Sequence, residues 1–126
     1  MKLRIRGNTI RLRLTKTEVE QFGKEGHVQE SLLFGPDPAQ HFRYEIVTHA
    51  SVSQLAVAYE NHAIRIMVPQ PMAEKWVHTD EVGFEQEVNT GSESIHLLVE
   101  KDFQCLHRDD AEEPDNYAHP LANEQA

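Results

Sequence analysis

The chain is poor in several things at once. It has 126 residues and a single cysteine, with only six glycines and six prolines. One cysteine excludes a disulfide framework and a four-cysteine zinc module. No apolar run approaches the ~18 residues that a membrane-spanning helix needs. Met1-Lys2 leads straight into a patterned segment with no apolar stretch before it, so no secretory signal is expected and a cytoplasmic location is. Basic residues are also scarce: 12 Lys and Arg against 21 Asp and Glu leave a formal charge of −9. That balance argues against a nucleic-acid partner for the molecule as a whole. What remains, 39% apolar and 26% charged, is the composition of an ordinary folded domain.

The scarce basic residues are concentrated. Residues 1–16 carry +6 and no acid, residues 17–99 carry −9, and residues 100–126 carry −6. Within residues 2–6, Lys2, Arg4 and Arg6 alternate with Leu3 and Ile5; within residues 10–14, Arg11 and Arg13 alternate with Ile10, Leu12 and Leu14. Period two predicts half-buried strands. Gly7-Asn8-Thr9 supplies a turn between them, so the pair reads as a hairpin with one apolar and one basic face.

The rest of the pattern continues in short elements. Thr15-Lys16-Thr17-Glu18 is a capping box, which predicts a helix over about 16–23. Strands are expected over 27–34 and 41–48, divided by Gly35-Pro36-Asp37-Pro38, and over 52–59 and 64–68. Pro69 and Pro71 open a second helix whose buried side carries Met72 and Trp76. Alternation resumes over 82–87 and 95–99. The order strand-strand-helix-strand-strand therefore occurs twice, about 1–50 and 51–100. Ile10-Arg11-Leu12-Arg13-Leu14 corresponds to Ile64-Arg65-Ile66-Met67-Val68, Phe22 to Trp76 and Val28 to Val82. A unit of ~50 residues is too small to bury a core alone. The expected fold is thus α+β and mostly β: a duplicated ββαββ unit forming an eight-stranded barrel-like or two-sheet body with two short helices. Residues 1–106 form the domain, and 107–126, acidic and poor in apolar residues, form an irregular or partly disordered tail.

The opening Met1-Lys2-Leu3-Arg4-Ile5-Arg6-Gly7-Asn8-Thr9-Ile10-Arg11-Leu12-Arg13-Leu14-Thr15, the run Glu100-Lys101-Asp102-Phe103-Gln104-Cys105-Leu106, and Asp115-Asn116-Tyr117 followed by Pro120 resemble a family of small, functionally uncharacterised bacterial proteins. The resemblance covers nearly the whole chain and implies a bacterial, cytoplasmic protein. It carries no activity.

Three sites are candidates. Lys2, Arg4, Arg6, Arg11 and Arg13 share one strand face, where guanidinium forks suit phosphate or carboxylate. Alternating charge more ordinarily serves cross-strand pairing, and Glu45, Glu85, Glu87 and Glu100 are the expected partners. A catalytic version places the arginines inside a small barrel with Glu85 and Glu87 holding metal ions, as in tunnel-type triphosphate hydrolases. The Glu-x-Glu-x-Lys signature of those enzymes is absent, since Glu87 is followed by Val88-Asn89. The third candidate, a weak metal site, combines Asp102, Cys105 and His107. The leading expectation is a binding or interaction module, not an enzyme, with no cofactor. Its partner is an anionic small molecule or an acidic protein, and a homodimer is possible. No membrane contact is expected. The acidic tail is itself complementary to the basic hairpin.

Overall fold

The computed structural model describes residues 1–103. The elements run β1 (Lys2–Arg6), β2 (Thr9–Leu14), α1 (Lys16–Glu25), β3 (His27–Leu33), a 3₁₀ turn (Pro38–Gln40), β4 (His41–His49), β5 (Ala56–Glu60), β6 (Ala63–Pro69), α2 (Gln70–His78), β7 (Gly83–Asn89) and β8 (Ser94–Lys101). They form two four-stranded sheets, in the orders β1-β2-β8-β7 and β3-β4-β6-β5. The body is two open sheets, and the barrel alternative is corrected: neither sheet closes. The tail expected at 107–126 lies outside the described residues.

The ββαββ order recurs twice in the topology. Each ββαββ unit places its first hairpin in one sheet and its second in the other. The two units therefore exchange hairpins, and the centre of each sheet is a parallel pair made between units, β2–β8 and β4–β6. Neither unit owns a complete sheet, so each is expected to need the other to bury its core.

Strand register fixes the equivalences. Leu3 faces Leu12 as Val57 faces Ile66. Ile10 faces Leu97 as Ile64 faces Tyr44. One sequence-based match fails. Val28 faces Ile46 while Phe84 faces Val99, so Phe84 is the equivalent of Val28. Val82 precedes β7 and is exposed.

Alternation puts Ile10, Leu12, Leu14, Leu97 and Val99 on the inner face of one sheet, and Val28, Ile46, Ile66 and Val68 on that of the other; all are buried. The helices lie against these layers. Phe22 from α1 meets Trp76 from α2 edge to face, with ring centroids 6.0 Å apart, and Trp76 meets Phe84 at 5.5 Å. The indole Nε1 of Trp76 donates to the Val82 carbonyl at 3.1 Å, which satisfies the one polar atom of a fully buried side chain.

The first helix begins as its capping box predicts: Thr15 accepts from the Glu18 amide, and Glu18 accepts from the Thr15 amide. It runs two residues past the expected end. Gly26, at φ 71°, makes the left-handed C-terminal cap. Gly23 lies inside the helix, where a Cβ would come within 2.7 Å of Val77 Cγ1. That glycine serves the close approach of α1 to α2.

Candidate functional site

The outer face of the β1-β2-β8-β7 sheet is a lattice of three rows. Across the strands the rows read Lys2–Arg13–Glu100–Gly83, Arg4–Arg11–Leu98–Glu85 and Arg6–Thr9–His96–Glu87. Strand alternation sends every second residue away from the core, so all five predicted basic residues share this face. Its β1-β2 half is basic, and its β7 half is acidic.

The basic half is only partly compensated. Lys2 Nζ sits 3.0 Å from Asp102. Arg13 Nε donates to Glu100 Oε1 at 2.8 Å. Arg11 Nε lies 2.8 Å from the same oxygen, but its N–H is not aimed at it. That nitrogen is buried without a hydrogen-bond partner among the described residues. Arg4 and Arg6 take part in no ion pair among the described residues and are exposed. A depression of about 320 Å³ opens here, lined by Lys2, Leu3, Arg4, Arg11 and Arg13. Among the described residues, five cations thus face two carboxylates, Glu100 and Asp102. An orphaned buried N–H is costly, and an incoming anion would relieve both the charge and that orphan.

The acidic half is occupied differently from the expectation. Among the described residues, Glu85 and Glu87 pair with no arginine. They close on His96, whose Nδ1 lies 2.7 Å from Glu87 and Nε2 3.0 Å from Glu85. Carboxylates only accept, so both contacts suit the doubly protonated imidazolium. The hydrogen bond to Glu87, and then that to Glu85, raise the His96 pKa above its ordinary value.

Glu45 is the fourth expected partner of the ladder, and it lies on the other sheet. There it faces Arg65 across the strands and accepts from Arg65 Nε at 2.6 Å. His27 Nε2 lies 2.9 Å from its other oxygen. Glu45 is only 6% exposed. Burial by itself raises its pKa, yet hydrogen bonds from His27 and Arg65 outweigh that and hold it below the usual carboxylate range. Sequence reading missed this trio. The signal was present in the duplication, which makes Arg65 the counterpart of Arg11.

A third polar cluster sits where β1 enters the body. The Met1 amino group contacts Glu18 and lies 2.8 Å from Glu30. The Tyr44 hydroxyl donates to Glu30 at 2.7 Å. Burial, and then the Glu30 hydrogen bond, push the Tyr44 pKa up to about 12. The equivalent places in the second unit are Leu55, Met72, Gln86 and Leu97, so this cluster belongs to one half only.

The remaining candidates separate. Asp102 is engaged by Lys2, and Cys105 and His107 lie outside the described residues. Among the described residues no group of three or more His, Cys, Asp or Glu side chains is placed to hold a metal ion. The tunnel geometry is also corrected, because the arginines stand on the outer face of an open sheet. No helix among the described residues is long and apolar enough to cross a membrane.

No curated protein and no solved structure matches the chain significantly. One family model does, described as a family of unknown function (DUF7009), and it matches residues 1–121. That match takes in both ββαββ units and continues past β8, and the protein belongs to this family.

Proposed function

We propose that the protein is a binding or interaction module whose outer β1-β2 face holds an anionic group, a phosphate or a carboxylate. One observation carries the reading. Arg11 and Arg65 occupy equivalent positions, and Arg65 has a carboxylate directly across the strands where Arg11 has Leu98. One arginine therefore has a carboxylate of its own, while its twin shares Glu100 with Arg13 and keeps an unpartnered Nε–H among the described residues, above a depression lined by further cations. Lys2, Arg4, Arg6 and Arg13 supply the surrounding charge, and Arg11 supplies the directional donor. A hydrolytic reading would need Glu85 and Glu87 to converge with the arginines on a metal ion; their closure on His96 supports binding instead.

Inorganic tripolyphosphate is the probe. Isothermal titration at low salt is expected to give one site per chain, weakening as salt screens the face. Arg4→Gln with Arg11→Gln is expected to weaken it at least about tenfold, since charge-assisted hydrogen bonds each contribute ~1.5–3 kcal/mol. Equal binding by wild type and the double variant, or no binding by wild type, overturns the reading.

A further inference from the structure

The sheet face that is basic along β1-β2 is acidic along β7. We propose that two chains associate through this face as a twofold-symmetric dimer, in which Glu85 and Glu87 of each chain supply the anionic groups that Arg4, Arg6 and Arg11 of the other receive. The inference rests on the proposed reading of that face and names its partner.

Register makes the halves match. Two copies of the face can stack about a twofold axis that runs along the strands, between β2 and β8. Strand order is then reversed and row order is kept, so β1 of one chain lies over β7 of the other. The rows place Arg4 over Glu85, Arg6 over Glu87 and Arg13 over Glu100. Arg11 falls one strand spacing, ~4.8 Å, from the same Glu85. A twofold axis across the strands would instead lay β1 on β1 and β7 on β7, and like charges in register repel. Charge thus selects one stacking of the two. Each contact is made twice, and the assembly closes at two chains.

Two further features fit a second chain as the occupant. The side chains of Glu85 and Glu87 are 62% and 64% exposed, and His96 contacts one oxygen of each. A carboxylate accepts up to about four hydrogen bonds, so both acids keep lone pairs for an arginine fork. Leu98 is the one apolar side chain in the three rows, and a small anion has no use for it. At the axis it comes beside Leu98 of the second chain, an apolar centre within a charged rim, as interfaces are built. The other sheet is not divided in this way: its middle row reads Gln29–Glu45–Arg65–Ala58, and its arginine is closed within the chain. Four strands ~4.8 Å apart, with about seven residues of ~3.3 Å along each, give a face of roughly 400 Å², below the ~800 Å² per partner of a standard interface. The dimer is therefore a weak one, held by charge and dissociated by salt.

Sedimentation equilibrium of the full chain is the test. From about 10 μM to about 1 mM at low salt, wild type is expected to pass from monomer to dimer, with a dissociation constant that rises at least about tenfold at high salt. Glu85→Lys with Glu87→Lys makes both halves of the face basic, and Arg4→Glu with Arg6→Glu makes both edges acidic. Each double variant alone is expected to stay monomeric. An equimolar mixture of the two is expected to dimerise, because every exchanged contact then joins opposite charges. Tripolyphosphate, which takes the same arginines, is expected to dissociate the wild-type dimer. Wild type that stays monomeric at the top concentration and low salt, a dimer that either double variant keeps alone, or a mixture that stays monomeric overturns the proposal. If tripolyphosphate binds a monomeric wild type, the anion-binding reading stands without the dimer. If the dimer and the mixture form as expected but tripolyphosphate neither binds nor dissociates the wild type, the dimer stands and the small-anion reading fails.

Discussion

Arg11 and Arg65 stand at the same place in two copies of one unit, and the strand opposite gives them opposite fates. Arg65 meets Glu45, with His27 completing the pair. Arg11 meets Leu98 and shares Glu100 with Arg13. The same contrast extends to the neighbours. The outer positions of β1 and β2 are Lys2, Arg4, Arg6 and Arg13; the matching positions of β5 and β6 are Ala56, Ala58, Glu60 and Met67. A duplicated scaffold needs both copies for its core but only one finished outer surface. Arg65 of the second copy is closed by Glu45 of the first, and among the described residues the outer face of the first hairpin is left with surplus cation. The surplus is thus a property of one half, and it is measurable against the other as an internal control.

The strongest way to probe the comparison is at the core, where the halves should behave alike. Phe22→Ala and Trp76→Ala, at equivalent positions and both fully buried, are expected to cost about 3–5 kcal/mol each, read by urea unfolding at equal m-values. Trp76→Ala is expected at the upper end because it removes the larger side chain and its contacts with both Phe22 and Phe84; the Val82 carbonyl keeps the Lys101 amide as donor. A loss in one half several-fold smaller than in the other would show that the cores are not equivalent.

The next effect comes from exchanging the two outer environments. Glu45→Leu removes the carboxylate from Arg65 and is expected to destabilise by about 1–2 kcal/mol, since Arg65 is half exposed and screened. It should add no tripolyphosphate site in calorimetry, because Ala56, Ala58, Glu60 and Met67 stand around Arg65 where Lys2, Arg4, Arg6 and Arg13 stand around Arg11. Leu98→Glu places a carboxylate across from Arg11 but also across from Glu85, and is expected to be near neutral for stability while removing the site. A tripolyphosphate site retained by Leu98→Glu, or a second one gained by Glu45→Leu, would break the link between the basic β1-β2 face and binding.

The smallest expected effects are on pH dependence, and they differ in sign between the sheets. The Glu45 pKa is lowered on folding, so its contribution is present above the ordinary value of 4.5 and is lost as pH falls through the lower folded value. The His96 pKa is raised, so its contribution is complete below 6.5 and is lost as pH rises through the higher folded value. Thermal melts of Glu45→Gln and His96→Gln against wild type should therefore converge at acid pH for the first and at alkaline pH for the second.

Much of this was legible in the residues. Alternation of Leu3 and Ile5 with Lys2, Arg4 and Arg6 reports strand and face together, because successive side chains of an extended chain point oppositely. Thr15 and Glu18 mark a helix start because the capping box is local in sequence. The helix end was misjudged at Gly23 because its close approach to Val77 is a contact between helices, invisible to local rules. Val28 was matched to Val82 because spacing along the chain ignores a two-residue difference in the loop before β7. Four acids were assigned to the arginines by charge and alternation; Glu100 does lie against Arg11 and Arg13, while Glu45, Glu85 and Glu87 lie elsewhere, because neither signal says which strand lies beside which.

The sequence by itself determined the elements, the apolar and basic faces of the first hairpin, and the repetition of the unit, since these follow from covalent geometry and local periodicity. Only the tertiary structure decided that the units exchange hairpins. That exchange brings β2 beside β8 and β4 beside β6, and so sets Leu98 opposite one arginine and Glu45 opposite its twin. The physical reason is that a cross-strand neighbour is chosen by burial of the inner face, which leaves the outer face to accept whatever residue that register delivers.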